Sequence, residues 1–351
     1  MGKALQFNHR MRISLLQAKG RFERLDSYLG KLADKGFDVA GVPFRLLDDL
    51  LRTRAEVDFT ALIPLARHTL GGQPALLTAV LQDLQAGEID HLKRLVEEGS
   101  AHTMTRFEAM GWATYLTHRA DFPETGPAAG DVFQFWDAAT PPPEVQDGKA
   151  QWQRTTQRYV WYDDRTVHDY IADGFGQDAA RAYDALWHPA LKSDVFRLYR
   201  LAQDGGVYSD ADSHPQHRVS DILKHAGGRV WAASMTHVPN CVAINGFLAA
   251  PPRHPLIEAL LDQVLRNTRD VKSRGIFWLS GPGAFTAFLY RHQGKYDVGL
   301  LPQGVLKADL FRQFDASYKH TQQNWRVFEH QQGQDNAAGL QEVLKHVEVQ
   351  P

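Results

Sequence analysis

The chain has 351 residues, 43% of them hydrophobic and 23% charged, with a formal net charge of -2. That is the make-up of an ordinary globular protein with room for two parts, and it gives no electrostatic case for a nucleic-acid partner. A single cysteine, Cys241, excludes an intrachain disulfide, and no apolar run reaches the ~20 residues of a membrane-spanning helix, nor does the start carry a signal-peptide core, so a cytoplasmic protein is expected.

Residues 1–122 read as an all-helical N-terminal region. Met11, Leu15, Ala18, Phe22, Leu25, Leu29 and Leu32 recur at alternating spacings of four and three. This predicts one long helix with a heptad-like seam, weakened by Gly20 and Gly30. Pro43 suits the first turn of a second helix through Leu51. Asp58–Leu70, Pro74–Gln85, Glu88–Glu97 and Thr103–His118 are further helical stretches. Between Met1 and Leu25, the basic Lys3, Arg10, Arg12, Lys19, Arg21 and Arg24 face only Glu23. A basic amphipathic helix suits peripheral contact with an anionic membrane surface, although the plainer reading, a bundle helix with a solvated basic face, is preferred. The region is assigned to acceptor, partner or membrane-surface contact.

Pro123–Gly130, rich in Pro, Gly and Ala, reads as a linker. A second domain is placed over residues 131–330, and residues 331–351 read as a C-terminal tail. Its first strand runs through Val132-Phe133-Gln134-Phe135-Trp136. Phe135 and Trp136 have faces on which a base could stack, although strand aromatics as often fill a core. Tyr159–Asp164 is a second strand running into a loop, and Arg165–Leu186 is helical.

The central stretch runs from Leu191 to Pro215. Val195, Leu198, Tyr199 and Ala202 fall at helical spacing, and Gly205-Gly206 stops that helix. Val207–Asp212 then reads as a strand, which puts Tyr208, Asp210 and Asp212 on one face because strand side chains alternate. Two carboxylates pointing the same way can share one hard cation. Asp194 and Arg197, three apart on a helix, are neighbours on its surface. His214 and His217 make a His-x-x-His, but no Cys or Glu stands at a matching spacing for zinc. Val219–His225 is helical, Val230–Met235 and Cys241–Ala250 are strand-like, and Pro255–Asn267 is a helix.

Asp-x-Asp alone is weak, but its setting here is full. Lys192, Ser193, Asp194, Arg197, Gly205, Gly206, Val207, Tyr208, Asp210 and Asp212 together resemble the signature of GT-A-type glycosyltransferases of the DXD sugar-binding group. That group includes mannosyltransferases, capsular-polysaccharide transferases and the large clostridial glucosylating toxins. Val132–Trp136 resembles its first strand, with Phe133 where the group tends to have His. Pro141-Pro142-Pro143, Trp152 and Tyr159–Asp164 are similar to its next landmarks. Asn245 in Asn-Gly-Phe-Leu-Ala-Ala resembles an element that faces the sugar, or is a plain Asn-Gly turn. Ser280-Gly281-Pro282-Gly283 resembles a Gly-Pro element on the acceptor side, or simply permits a turn. His320-Thr321-Gln322-Gln323-Asn324-Trp325 resembles a C-terminal loop that closes the site.

The resemblance implies an α/β fold, a GT-A (Rossmann-like nucleotide-sugar) domain preceded by the helical region. It implies a metal-dependent glycosyltransferase that moves a sugar from a UDP- or GDP-sugar to a glycan, lipid or protein acceptor, with retention of configuration. Asp210 and Asp212 would hold Mn²⁺ or Mg²⁺, with His320 completing the shell. Hard cations of this kind prefer oxygen ligands, and they stabilise a departing diphosphate. Arg197 would join the two aspartates in catalysis. Asp194, Arg197, Tyr208, Trp136, Phe135, Asn245 and Trp325 would bind substrate. A metal-dependent phosphohydrolase or nucleotidyltransferase, and a non-catalytic sugar-nucleotide-binding protein, are the competing readings.

Overall fold

The computed structural model describes residues 5–53, 58–69, 73–86, 128–215, 230–235, 242–269, 275–292, 295–296, 298–302, 311–314 and 316–331. The helices expected over Glu88–Glu97, Thr103–His118 and Val219–His225 lie outside these residues, as do Cys241, His217 and the tail beyond Gln331. The chain forms two compact units. One comprises Met1–Arg119, Ser234–Val242 and Leu300–Ala308; the other comprises Ala120–Ala233, Ala243–Gly299 and Asp309–Pro351.

In the first unit the expected long helix is two: α1 (Phe7–Ala18) and α2 (Phe22–Asp34). Gly20 takes φ +60, the left-handed conformation that lets the Leu16 and Gln17 carbonyls be bonded by the next amides and ends the helix. The seam splits accordingly. Leu25, Leu29 and Leu32 are buried, whereas Met11 is 58% and Leu15 54% exposed and Ile13 turns inward instead. α3 (Val42–Thr53) and α4 (Gln73–Ala86) follow the sequence reading closely. Between them Phe59–His68 is a 3₁₀ helix rather than an α-helix, with Pro64 inside it and Asp58 capping it through the Thr60 amide. Leu62, Leu65, Leu76, Leu77, Val80 and Leu81 complete the buried core of this unit.

The second unit is a mixed α/β structure. β1 (Ala128–Phe135) begins inside the expected linker, so Ala128–Gly130 are strand. α5 (Pro143–Thr155) returns the chain to β2 (Thr156–Tyr162), parallel to β1 with Gln134 opposite Trp161 and Phe135 opposite Tyr162. α6 (Asp164–Phe175), α7 (Gln177–Asp184) and α8 (Pro189–Asp204) lead to β3 (Gly206–Ser209), parallel to β1 on its other side. Helical crossovers are what parallel strands require. The three-residue strand β4 (Ser213–Pro215) leaves the main sheet, and β5 (Val230–Met235) and β6 (Val242–Ala250) rejoin it. α9 (Pro255–Arg269), the single turn α10 (Ile276–Leu279), α11 (Pro282–Arg291) and β7 (Val298–Pro302) complete the layers. The six-stranded sheet has the order β2-β1-β3-β6-β5-β7, with β3 and β6 antiparallel. β4 pairs instead with β8 (Phe311–Gln313) in a separate two-stranded sheet.

The chain leaves β1 toward β2 on one side and reaches β3 on the other. Crevices at the carboxyl ends of strands open where the order reverses in this way, and ligands bind there. Trp136 and the Asp210–Asp212 segment sit at those two ends. Beneath them Phe133, Phe135, Tyr162 and Phe196 pack together, with Phe133 and Phe196 ring centres 6.0 Å apart.

Candidate active site

α8 supplies the inner wall. Its apolar positions are buried on the sheet, and burial of Asp194, Arg197 and Arg200 along with them forces those charges to find partners. Asp194 accepts from Asn245 Nδ2 at 2.9 Å through one oxygen and from Ser280 Oγ at 2.7 Å through the other. Arg197 Nη2 lies 2.9 Å from Asp194 and 3.5 Å from Asp210. Arg197 also donates to the Ser193 and Asn245 carbonyls, and its guanidinium lies 4.1 Å above the Tyr208 ring. A polarised chain runs onward: Arg197 Nη2 donates to Ser193 Oγ at 2.9 Å, Ser193 to the Tyr208 hydroxyl at 2.7 Å, and Tyr208 to Asp210 Oδ1 at 3.0 Å.

β3 stops at Ser209, so Asp210–Asp212 is a turn and not the strand end that the sequence suggested. The strand ends there because the turn is tied down from three sides. Asp210 N–H donates to the Gly246 carbonyl at 2.9 Å. Buried Gln134 donates from Nε2 to the Asp210 carbonyl at 3.0 Å and accepts from Tyr159 at 2.7 Å. Ser213 Oγ bonds the Asp210 carbonyl at 2.7 Å, and Trp152 Nε1 bonds the Ser213 carbonyl at 2.9 Å. A Cβ on Gly246 would run into Asp210 Oδ2, so only glycine leaves room for that carboxylate.

The two aspartates differ. A third of the Asp210 side chain is exposed. Its carboxyl is pushed up to about 6, chiefly by burial of the rest, with Arg197 acting against this and the charges of Asp212 and Asp194 adding to it. Asp212 is 4% exposed. Its Oδ2 takes Lys319 Nζ at 2.6 Å and the Tyr318 hydroxyl at 3.2 Å, while its Oδ1 is buried with no hydrogen-bond partner among the described residues. Burial and the Asp212 charge raise the Tyr318 phenol far enough that it stays a donor.

Tyr318 and Lys319 come from the short 3₁₀ helix Ser317–His320, held to the first turn of α5 by Glu144 through the Ser317 amide at 2.8 Å and its hydroxyl. Phe314 N–H bonds the Asp212 carbonyl at 2.9 Å, and β4–β8 pairing extends the tie. Trp136 is half-buried and meets the Tyr318 ring edge-on at 5.1 Å. His188 is a further latch: its Nδ1 accepts from the Ala190 amide at 3.0 Å, so its Nε2 carries the proton, 3.1 Å from the Gln322 carbonyl.

Several sequence expectations change with this geometry. Phe135, 4% exposed, is core against Phe196 and has no face left for a base. Tyr208, 1% exposed, supports Asp210 from below rather than meeting a substrate. Asn245 lies within β6, so it is no turn, and its amide is spent on Asp194 and the Ser280 carbonyl. His320 is exposed, and among the described residues no group of three or more His, Cys, Asp or Glu comes together to hold a metal; the same segment delivers Lys319 to Asp212 instead. Trp325 opens α12 (Trp325–Gln331) and packs on Leu191, Ile276 and Leu279, stacked with Phe277 at 5.9 Å. His214 packs its ring on Phe314 at 4.5 Å. Gln134, Ser213, Gly246, Tyr318 and Lys319 were missed as site residues, and Ser280, read as part of a Gly-Pro element on the acceptor side, instead bonds Asp194 through its hydroxyl. Only Gly246 had a readable signal, since a glycine inside a strand marks a close approach.

Residues 142–228 match the family model described as "Glycosyltransferase sugar-binding region containing DXD motif". No match is found among the curated proteins. Among solved structures, the chain is similar to the PaToxG glycosyltransferase, at 14% identity over 69% of this chain and 96% of that one, with a TM-score of 0.35. It is also similar to the ligand-free glycosyltransferase domain of the YGT toxin, at 10% identity over 75% and 70% of the two chains, with a TM-score of 0.28. Likenesses this distant carry no argument.

Proposed function

Starting from what residues 142–228 make this chain, a glycosyltransferase with a DXD sugar-binding region, we propose that it is metal-dependent and uses a nucleoside-diphosphate sugar. The observation that carries the proposal is the Asp210–Asp212 turn. Asp194, Asp210 and Asp212 outnumber Arg197 and Lys319, and Asp212 keeps a buried oxygen without a partner among the described residues. An all-oxygen, anionic donor set of this kind fits Mg²⁺ or Mn²⁺, with the remaining positions left to phosphate oxygens and water. Asp210 and Asp212 would hold the ion. Bound there, a divalent cation supplies a Lewis acid to a diphosphate leaving group.

The chain's own residues do the rest. Arg197 and Tyr208 fix the Asp210 carboxylate, and Gln134, Trp152 and Ser213 fix the turn behind it. Asp194, Asn245 and Ser280 bond one another beneath the turn and, with Asp194 paired to Arg197, hold that guanidinium in place under Asp210. Trp136 and Tyr318 flank the crevice and offer an aromatic edge to a base. The donor is a UDP- or GDP-sugar, the acceptor a glycan, lipid or protein hydroxyl, and the configuration is retained. No helix among the described residues is long and apolar enough to cross a membrane. Exposed Met11 and Leu15 beside Arg10 and Arg12 suit peripheral contact with an anionic bilayer in the cytoplasm, which co-sedimentation with such vesicles tests.

The deciding experiment incubates the protein with a panel of UDP- and GDP-sugars, with Mn²⁺, with Mg²⁺ and with EDTA. Slow release of nucleoside diphosphate and free sugar, dependent on the metal, is expected. Hydrolysis of simple phosphate esters with no action on any sugar nucleotide would replace this reading with a phosphohydrolase.

A further inference from the structure

The residue that meets Asp212 is a cation, not a third ligand. Lys319 Nζ reaches Asp212 Oδ2 at 2.6 Å and also donates to the Phe314 carbonyl at 2.6 Å. Asp212 is nearly inaccessible, whereas Lys319 keeps 26% of its side chain exposed and so has a way out. The lysine belongs to a four-residue 3₁₀ helix in which no residue is fully buried, tethered mainly by Glu144 and by the Tyr318 hydroxyl on the same carboxylate. Arg197, by contrast, serves Asp194 and Asp210 from a rigid helix and cannot leave.

Resting on the metal-dependent reading above, we propose that Lys319 is a built-in counter-cation which a divalent ion must displace from Asp212. A metal ion and an ammonium on one small carboxylate would repel each other strongly in a site this poorly hydrated. The partly exposed partner, carried on a short 3₁₀ helix, gives way. Displacement takes Tyr318 and the rest of Ser317–His320 with it, so metal entry and loosening of this segment are one event. Lys319 is then a positioning residue: it keeps the Asp212 carboxylate compensated while the ion is absent. Its release frees a positive charge beside the position of the diphosphate.

The test is calorimetric titration of the full chain with Mn²⁺, alone and with UDP present, for the wild type, Lys319→Met and Lys319→Arg. Lys319→Met should bind Mn²⁺ roughly tenfold more tightly, the equivalent of one lost competitor of about 1.4 kcal/mol. Lys319→Arg, which keeps a cation at Asp212, should bind no more tightly than the wild type. On the wild type itself, Mn²⁺ alone should speed hydrogen exchange across Ser317–His320, a readout that needs no variant to fold. Equal or weaker Mn²⁺ binding by Lys319→Met, or unchanged exchange in the wild type, overturns the proposal and leaves metal dependence standing. If neither protein binds Mn²⁺ even with UDP bound, the metal-dependent reading fails and this inference fails with it.

Discussion

The inner and outer halves of the site use the same residue types to opposite ends. Inside, Asp194, Arg197, Asn245, Ser280 and Tyr208 satisfy one another almost completely. Outside, Asp210 is raised toward protonation and Asp212 keeps an oxygen without a hydrogen-bond partner among the described residues. Aspartates of one motif therefore divide between structure and chemistry. What separates them is how many of their lone pairs the fold has already used.

The sharpest way to break that comparison is to remove Arg197. Arg197→Ala leaves Asp194 buried and uncompensated and should cost about 3–5 kcal/mol in urea unfolding. Asp212→Asn should cost no more than about 1 kcal/mol, since it also removes like-charge repulsion with Asp210, yet lower turnover by more than about 100-fold. If the two variants unfold at the same urea concentration, the division into inner and outer halves is wrong.

Gly246→Ala tests the boundary between the halves. The added methyl must push the Asp210 carboxylate aside, so a stability loss of about 1–3 kcal/mol is expected together with weaker Mn²⁺ binding. Mn²⁺ affinity equal to that of the wild type would mean that Asp210 does not hold the ion from its present position.

His188 sharpens the comparison through pH. Burial holds its imidazole below the ordinary 6.5, against the pull of Gln322, Asp137 and Asp194. The neutral ring is thus the folded form, and its contribution is complete above pH 6.5 and is lost as pH falls through the lower folded value. In His188→Gln the fall in melting temperature between about pH 7 and 5 should be shallower. A parallel fall in both proteins would assign the acid sensitivity to other groups.

The smallest effect is expected at the outer edge. Tyr318→Phe removes one hydrogen bond to Asp212 and should cost about 0.5–1.5 kcal/mol, read in the same urea titration. A loss as large as that of Arg197→Ala would make the outer half as structural as the inner.

Much of this molecule was legible in order along the chain. Pro43 marked the start of α3, apolar spacing marked α8, glycines marked the stop at Gly205, and Asp194, Arg197, Asp210 and Asp212 stood out as one charged group. All of these are local signals, set by periods of two and 3.6 residues and by the freedom of glycine. The same signals failed where a tertiary partner outweighed them. The seam of Met11 and Leu15 continued on paper but not through Gly20 at φ +60, and β3 gave way to a turn because Gln134, Trp152 and Ser213 hold its backbone elsewhere.

What only the tertiary structure decided is which residues are spent and which are left over. Asn245 looked like a substrate contact until its amide was found on Asp194, 51 positions away. Lys319 carried no motif at all, and its meaning comes from lying 2.6 Å from Asp212. A sequence states what each side chain can donate or accept. It does not state how much of that capacity the fold consumes, because the partners are brought together by burial of the apolar faces between them, and a buried charge takes whichever partner that packing supplies.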